Sequence, residues 1–146
     1  MAQGYKVVEH ELGTAGMRAL VLRSETSKKD FIVKLKESKR DRTRLDLIVR
    51  TLERIQFEGI ERCEAIRLIR VLDGNLCYAE IKIPGNVIRV MCYVHNRGTP
   101  SAELVLLFDF DGHQGKRGQI PKPIMKRAAT LASIAKATME EEGHGN

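Results

Sequence analysis

"LCYAEIKIPGNVIRVMCYV", residues 76–94, reads as a strand, a short link and a second strand. Side chains in a strand alternate between the two faces of a sheet. In the first run, Cys77, Ala79, Ile81 and Ile83 form one set, and Leu76, Tyr78, Glu80 and Lys82 the other. In the second, Ile88, Val90, Cys92 and Val94 alternate with Val87, Arg89, Met91 and Tyr93. The two apolar sets must share a face to be buried together. Setting Ile83 opposite Ile88 does this, with Ile81 meeting Val90 and Ala79 meeting Cys92. On the reverse face this register sets Lys82 opposite Arg89, Glu80 opposite Met91 and Tyr78 opposite Tyr93. Glu80 then lies diagonal to Arg89.

Like charges directly opposite each other on a sheet are unfavourable. Two readings account for them here. In the first, the face is simply exposed, as on a sheet covered on one side, and Glu80 and solvent neutralise the pair. In the second, the face is a preformed anion site. A phosphate between Lys82 and Arg89 gains charge-assisted hydrogen bonds, and Tyr78 and Tyr93 offer stacking surfaces to unpaired bases. The alternation alone leaves both open.

Further strands flank this pair. Residues 102–110 follow the short link "HNRGTPS", so three strands in quick succession predict an antiparallel meander. Before them, "AIRLIRVL" at 65–72 is ambiguous between strand and helix, and "DGN" at 73–75 signals a turn. Leu45, Ile48, Val49, Leu52 and Ile55 repeat at helical spacing, and Gly59 is a plausible stop. Arg40, Arg42, Arg44, Arg50 and Arg54 occupy much of the remaining helix surface. Thr26 or Ser27 is a candidate N-cap for a shorter preceding helix, with Asp30 three residues after Ser27. Helices at 28–38 and 40–57 would make a helical hairpin. "PKPIMKRAATLASIAKATMEEE" predicts a C-terminal helix, with Pro121 and Pro123 in its first turn and an apolar stripe of Ile124, Ala128, Leu131 and Ala135. Residues 5–12 and 17–23 are strand-like runs that suggest an extra N-terminal hairpin.

The expected fold is therefore α+β: an N-terminal helical hairpin packed on a small antiparallel sheet, closed by a C-terminal helix. A chain of 146 residues suffices for one domain with one core. Residues 1–139 are read as that domain, and 140–146, "EEEGHGN", as a disordered acidic tail. The net charge is +6. Outside the tail, 25 positive side chains face 16 negative ones, which favours a polyanion or an acidic protein as partner. No apolar run approaches a membrane span and no signal peptide is evident, so the cytoplasm is the expected compartment. Cys63, Cys77 and Cys92 form no CxxC pair, which argues against a disulfide framework or a zinc site. His10, His95 and His144 show no ligand spacing, and no metal or other cofactor is expected.

The order of elements and the residues from 67 to 128 resemble the RelE superfamily of bacterial toxins, most closely its HigB-like, phage-derived branch. The resemblance is carried by "GNLCYAEIKI" with Glu80 and Lys82, "VIRVMCYV" with Arg89, and "LLFDF" with Phe110. It continues through the loop "DGHQGKRGQIP", with Lys116, Arg117 and Pro121, to Ala128 in the last helix. The resemblance implies a RelE-like fold and a toxin of a type II toxin-antitoxin system. It would cut messenger RNA on the ribosome without a metal, thereby inhibiting translation, and a cognate antitoxin would hold it inactive.

In such cleavage the 2′-hydroxyl attacks the adjacent phosphate and the 5′-oxygen leaves. The protein must move protons and stabilise the crowded phosphorane. Lys82 and Arg89 would hold the non-bridging oxygens, and Lys116 or Arg117 would close over them. Glu80 and His113 are the candidate bases. Histidine titrates near neutral pH, whereas a glutamate beside two cations is a weak base. Arg50 and Arg54 would contact ribosomal RNA, or merely keep their helix solvated. Two other classes compete: a ParE-like toxin that binds DNA gyrase without cutting RNA, and a non-enzymatic nucleic-acid-binding module.

Overall fold

A computed structural model describes residues 4–13, 16–112 and 120–142. Two strands come first: β1 (Tyr5–Leu12) and β2 (Met17–Ser24). Three helices follow: α1 (Phe31–Glu37), α2 (Arg42–Glu58) and α3 (Ile60–Ala65), with a 3-10 turn at Lys39–Asp41. Next come β3 (Ile69–Asp73), β4 (Leu76–Ile83), β5 (Asn86–His95) and β6 (Glu103–Gly112), and the last element is α4 (Lys122–Glu141).

This corrects the expected fold, and nothing in it confirms a RelE-like one. The sheet has six strands in the order β1-β2-β6-β5-β4-β3. It is mixed rather than purely antiparallel, because β2 runs parallel to β6, with Leu20 opposite Val105 and Val21 opposite Leu106. The helices are not an N-terminal hairpin: β1 and β2 precede them and belong to the same sheet. The physical reason lies in β2, where Met17, Ala19 and Val21 are buried on one side of the strand and Leu22 on the other. A strand apolar on both faces is stable only inside a sheet that is covered on both sides.

Two cores result. Cys77, Ala79, Ile81, Ile88, Val90 and Cys92 pack against Ile32 and Leu35 of α1, Ile48, Leu52 and Ile55 of α2, and Cys63 of α3. On the reverse face, Leu76, Tyr78, Met91, Tyr93, Val105 and Phe108 pack against Ala128, Ala135 and Met139 of α4. The small stripe on α4 lets that helix lie close to the sheet. It covers the face that one reading of the sequence left to solvent. The helix includes Glu140 and Glu141, so the first residues of the expected disordered tail are helical.

Local signals explain the element ends. Gly59 stops α2 at φ 89°, and its N–H donates to the Ile55 carbonyl at 2.7 Å. The cap of α1 is Asp30, not Thr26 or Ser27: its Oδ1 accepts from the Val33 amide at 3.0 Å. The reason is that Asp30 also meets β1 and β2. Its Oδ2 lies 2.9 Å from His10 Nε2 and accepts from Arg23 Nε at 3.0 Å.

Candidate anion site on the α4 face

The link between β4 and β5 decides which side chains meet. Pro84 and Gly85 close a two-residue turn, with Gly85 at φ 78°. Proline followed by a positive-φ glycine suits the two central positions of a type II turn. Ile83 therefore lies opposite Asn86, and Ile81 opposite Ile88. The expected register assumed a longer link and is off by two residues. An even shift leaves every side chain on its expected face but changes its partner. Lys82 lies opposite Val87, not Arg89, and Arg89 lies opposite Glu80. The like-charge confrontation is thereby relieved: Lys82 is diagonal to Arg89, roughly 7–8 Å between backbones.

Lys82 and Arg89 still share a face, though their surroundings differ sharply. Lys82 is exposed. Arg89 is only 3% exposed, and its Nε and Nη1 have no hydrogen-bond partner among the described residues. The guanidinium carbon sits 5.5 Å from the centroid of the Tyr78 ring. On its other side is Gly112: a Cβ added there would fall 1.9 Å from Nη1. The absence of a side chain at Gly112 makes room for the guanidinium.

Glu80 does not neutralise Arg89. Its carboxylate is 10% exposed and faces Arg70, with 3.0 Å between Oε2 and Nε. This is a contact of charge rather than an aligned hydrogen bond, since Arg70 Nε lacks a partner of proper geometry. Arg70 lies opposite Tyr78 on β3, and so on the α4 face. Three adjacent strands thus contribute three cations and one carboxylate to one region: Arg70, Lys82, Arg89 and Glu80. Arg70 was missed in the sequence because 65–72 suits helix and strand alike. The signal available was parity: with Ile69 inward on a strand, Arg70 must face the other way.

The remaining expected residues divide. Tyr78 and Tyr93 are 4% and 3% exposed, so neither offers a face to an unpaired base. This corrects their expected stacking role, and the cause is the apolar cover supplied by α4. Tyr78 lies against Arg89 instead, and the Tyr93 hydroxyl is 2.9 Å from His95 Nδ1. Burial pushes the Tyr93 hydroxyl above its ordinary pKa, against the opposing effect of Asn75. Arg50 and Arg54 lie on α2, which packs on the opposite face of the sheet, so they are not gathered with Arg89. Arg54 Nε donates to Glu58 Oε2 at 2.6 Å. His113, Lys116 and Arg117 lie outside the described residues. Among the described residues, no group of His, Cys, Asp or Glu is arranged to hold a metal ion, and no helix is long and apolar enough to cross a membrane.

Compared with protein-family models, with curated proteins and with solved structures, the chain matches none.

Proposed function

We propose that this chain binds RNA, with exposed Lys82 and, once its cover is displaced, the buried Arg89 guanidinium gripping a backbone phosphate. The observation that carries the reading is the buried Arg89 guanidinium with two unpartnered donor nitrogens, Nε and Nη1, among the described residues. Burying a charge without its hydrogen bonds costs several kcal/mol, on the order of the whole contribution of a large core side chain. The Tyr78 ring returns only about 0.5–2 kcal/mol of this. A phosphate oxygen is the complementary partner: anionic, acceptor-rich and suited to a planar guanidinium. The excess of positive charge over the chain favours a polyanion.

The test is single-stranded RNA binding by fluorescence anisotropy at several salt concentrations. Arg89→Met is expected to abolish binding while the urea midpoint stays or rises. Lys82→Ala, at an exposed position, is expected to weaken binding and reduce the salt slope by about one unit. Undiminished binding by Arg89→Met would overturn the proposal.

A second reading is that the bound RNA is cut, as messenger RNA on the ribosome, in the manner of the toxins the sequence resembles, with an antitoxin as protein partner. It is favoured by the chain's continuity: Gly112, beside the Arg89 guanidinium, leads directly into the segment carrying His113, Lys116 and Arg117. Glu80 is engaged by Arg70, and His113 is the candidate base for that reaction, since an imidazole titrates near neutral pH. Sequencing RNA ends after induced expression separates the two readings. New ends within translated messages support cleavage, and an unchanged set leaves binding alone.

A further inference from the structure

The direct cross-strand neighbour of Arg89 is Glu80, yet the two form no ion pair; Glu80 faces Arg70, its diagonal neighbour, instead. In a two-residue hairpin the pairs alternate from the turn. Ile83–Asn86 closes the turn, so Glu80–Arg89 is a pair of the non-hydrogen-bonded kind. Its backbones are only about 4.5 Å apart and its side chains are close. A carboxylate there is the natural partner of a buried guanidinium.

We infer that Arg70 is the positioning residue of the anion site: by holding the Glu80 carboxylate over β3, it keeps the buried Nε and Nη1 donors of Arg89 unpaired and so leaves the guanidinium for a phosphate. Glu80 is the built-in competitor for that phosphate. It carries the same charge and is already tethered one strand away. Released from Arg70, it occupies Arg89 and closes the site. The role of Arg70 is exercised through Glu80 and requires no contact between Arg70 and the ligand. The proposal rests on the RNA-binding reading for its ligand, but not for its geometry, which concerns only Arg70, Glu80 and Arg89.

The experiment uses the full chain and two readouts. The first is binding of a single-stranded RNA oligonucleotide to wild type, Arg70→Gln and the double variant Arg70→Gln/Glu80→Gln. Arg70→Gln is expected to lose about tenfold or more in affinity, the scale of one charge-assisted hydrogen bond. The double variant is expected to recover binding to within about threefold of wild type, a difference below 1 kcal/mol. An Arg70 that touched RNA directly would give the same loss with no recovery, and that result overturns the inference. The second readout is the Arg89 Nε–H resonance in the absence of RNA. It is expected to move downfield in Arg70→Gln, as Glu80 accepts from it, and to return in the double variant. A resonance indifferent to Arg70 overturns the inference as well. If wild type binds no RNA while the resonance moves as expected, the positioning stands and the RNA reading falls.

Discussion

At the scale of single residues, Arg89 is an energetic anomaly. Its environment is apolar on the Tyr78 side, closed by backbone on the Gly112 side, and offers no acceptor to Nε or Nη1 among the described residues. A residue kept for stability does not look like this. Replacing buried ionic groups by apolar ones of similar volume is often neutral or stabilising, as measured for ion pairs. Arg89→Met is therefore expected to leave the free energy of urea unfolding unchanged or raised while removing RNA binding; a clear loss of stability would show that the guanidinium holds the fold. Gly112→Ala tests the same site from the other strand. Its Cβ would overlap Nη1, and a guanidinium this enclosed has little space into which to retreat. The expected cost is about 1–3 kcal/mol, as for other overpacked sites, with RNA affinity reduced alongside. Much of this site was legible from period-two alternation, which set Glu80, Lys82 and Arg89 on one face. What alternation does not convey is depth. Lys82 and Arg89 are equivalent in pattern, but one is at the open end of β4 and the other lies under its neighbours. Nor does the pattern show that Ala128, Ala135 and Met139 of a distant helix would cover Tyr78 and Tyr93.

At the scale of elements, α1 shows how a short helix is made to form. Seven residues are too few for a stable isolated helix. Its start is fastened by Asp30, which caps the helix with one oxygen and meets His10 of β1 and Arg23 of β2 with the other. Burial alone would raise the Asp30 carboxyl. The His10 hydrogen bond, the Val33 amide and Arg23 outweigh it, so the group lies below its ordinary value of 3.8. The direction fixes the pH dependence. A depressed carboxyl contributes stability in full above its unfolded value, and loses it as pH falls through the lower folded value. Asp30→Asn lacks this dependence. The stability difference between wild type and Asp30→Asn, from urea unfolding, is expected to be present above the ordinary carboxyl range and to shrink as pH falls below 3.8. A difference that stays constant into acid would show that Asp30 acts through shape rather than charge. Asp30→Ala is expected to lose about 0.5–2 kcal/mol for the cap alone, and more because Arg23 loses its acceptor. The helical period of α2 and the alternation in β4 and β5 were legible because each is a long local pattern. β3 was not: five residues with a shifted pairing beside Asp73 carry too short a pattern to separate strand from helix.

At the scale of the whole molecule, the join between β2 and β6 distinguishes this fold from the one its sequence suggested. It pairs residues more than eighty positions apart, and no local pattern announces such a contact. As an extra N-terminal hairpin, residues 5–12 and 17–23 would be an addition to a domain complete without them. In the structure β2 separates β6 from the edge strand β1, and Val21 is fully buried in the core beneath α1 and α2. Removing residues 1–25 would strip β6 of its parallel neighbour, expose Val105 and Leu106 along a new edge, and take His10 and Arg23 away from Asp30. An unpaired apolar edge is a template for association. The shortened chain is therefore expected to keep helical far-UV signal, to lose its near-UV signal, and to unfold in urea with a reduced slope, since less surface is buried cooperatively. A shortened chain that unfolds sharply, with the slope scaled only for its length, would mean that β1 and β2 are an appendage. RNA binding gives an independent check on the same molecule. Arg70, Lys82, Arg89 and Gly112 all lie on β3 to β6, so a folded remnant should retain binding, whereas a collapsed one should lose it together with its near-UV signal.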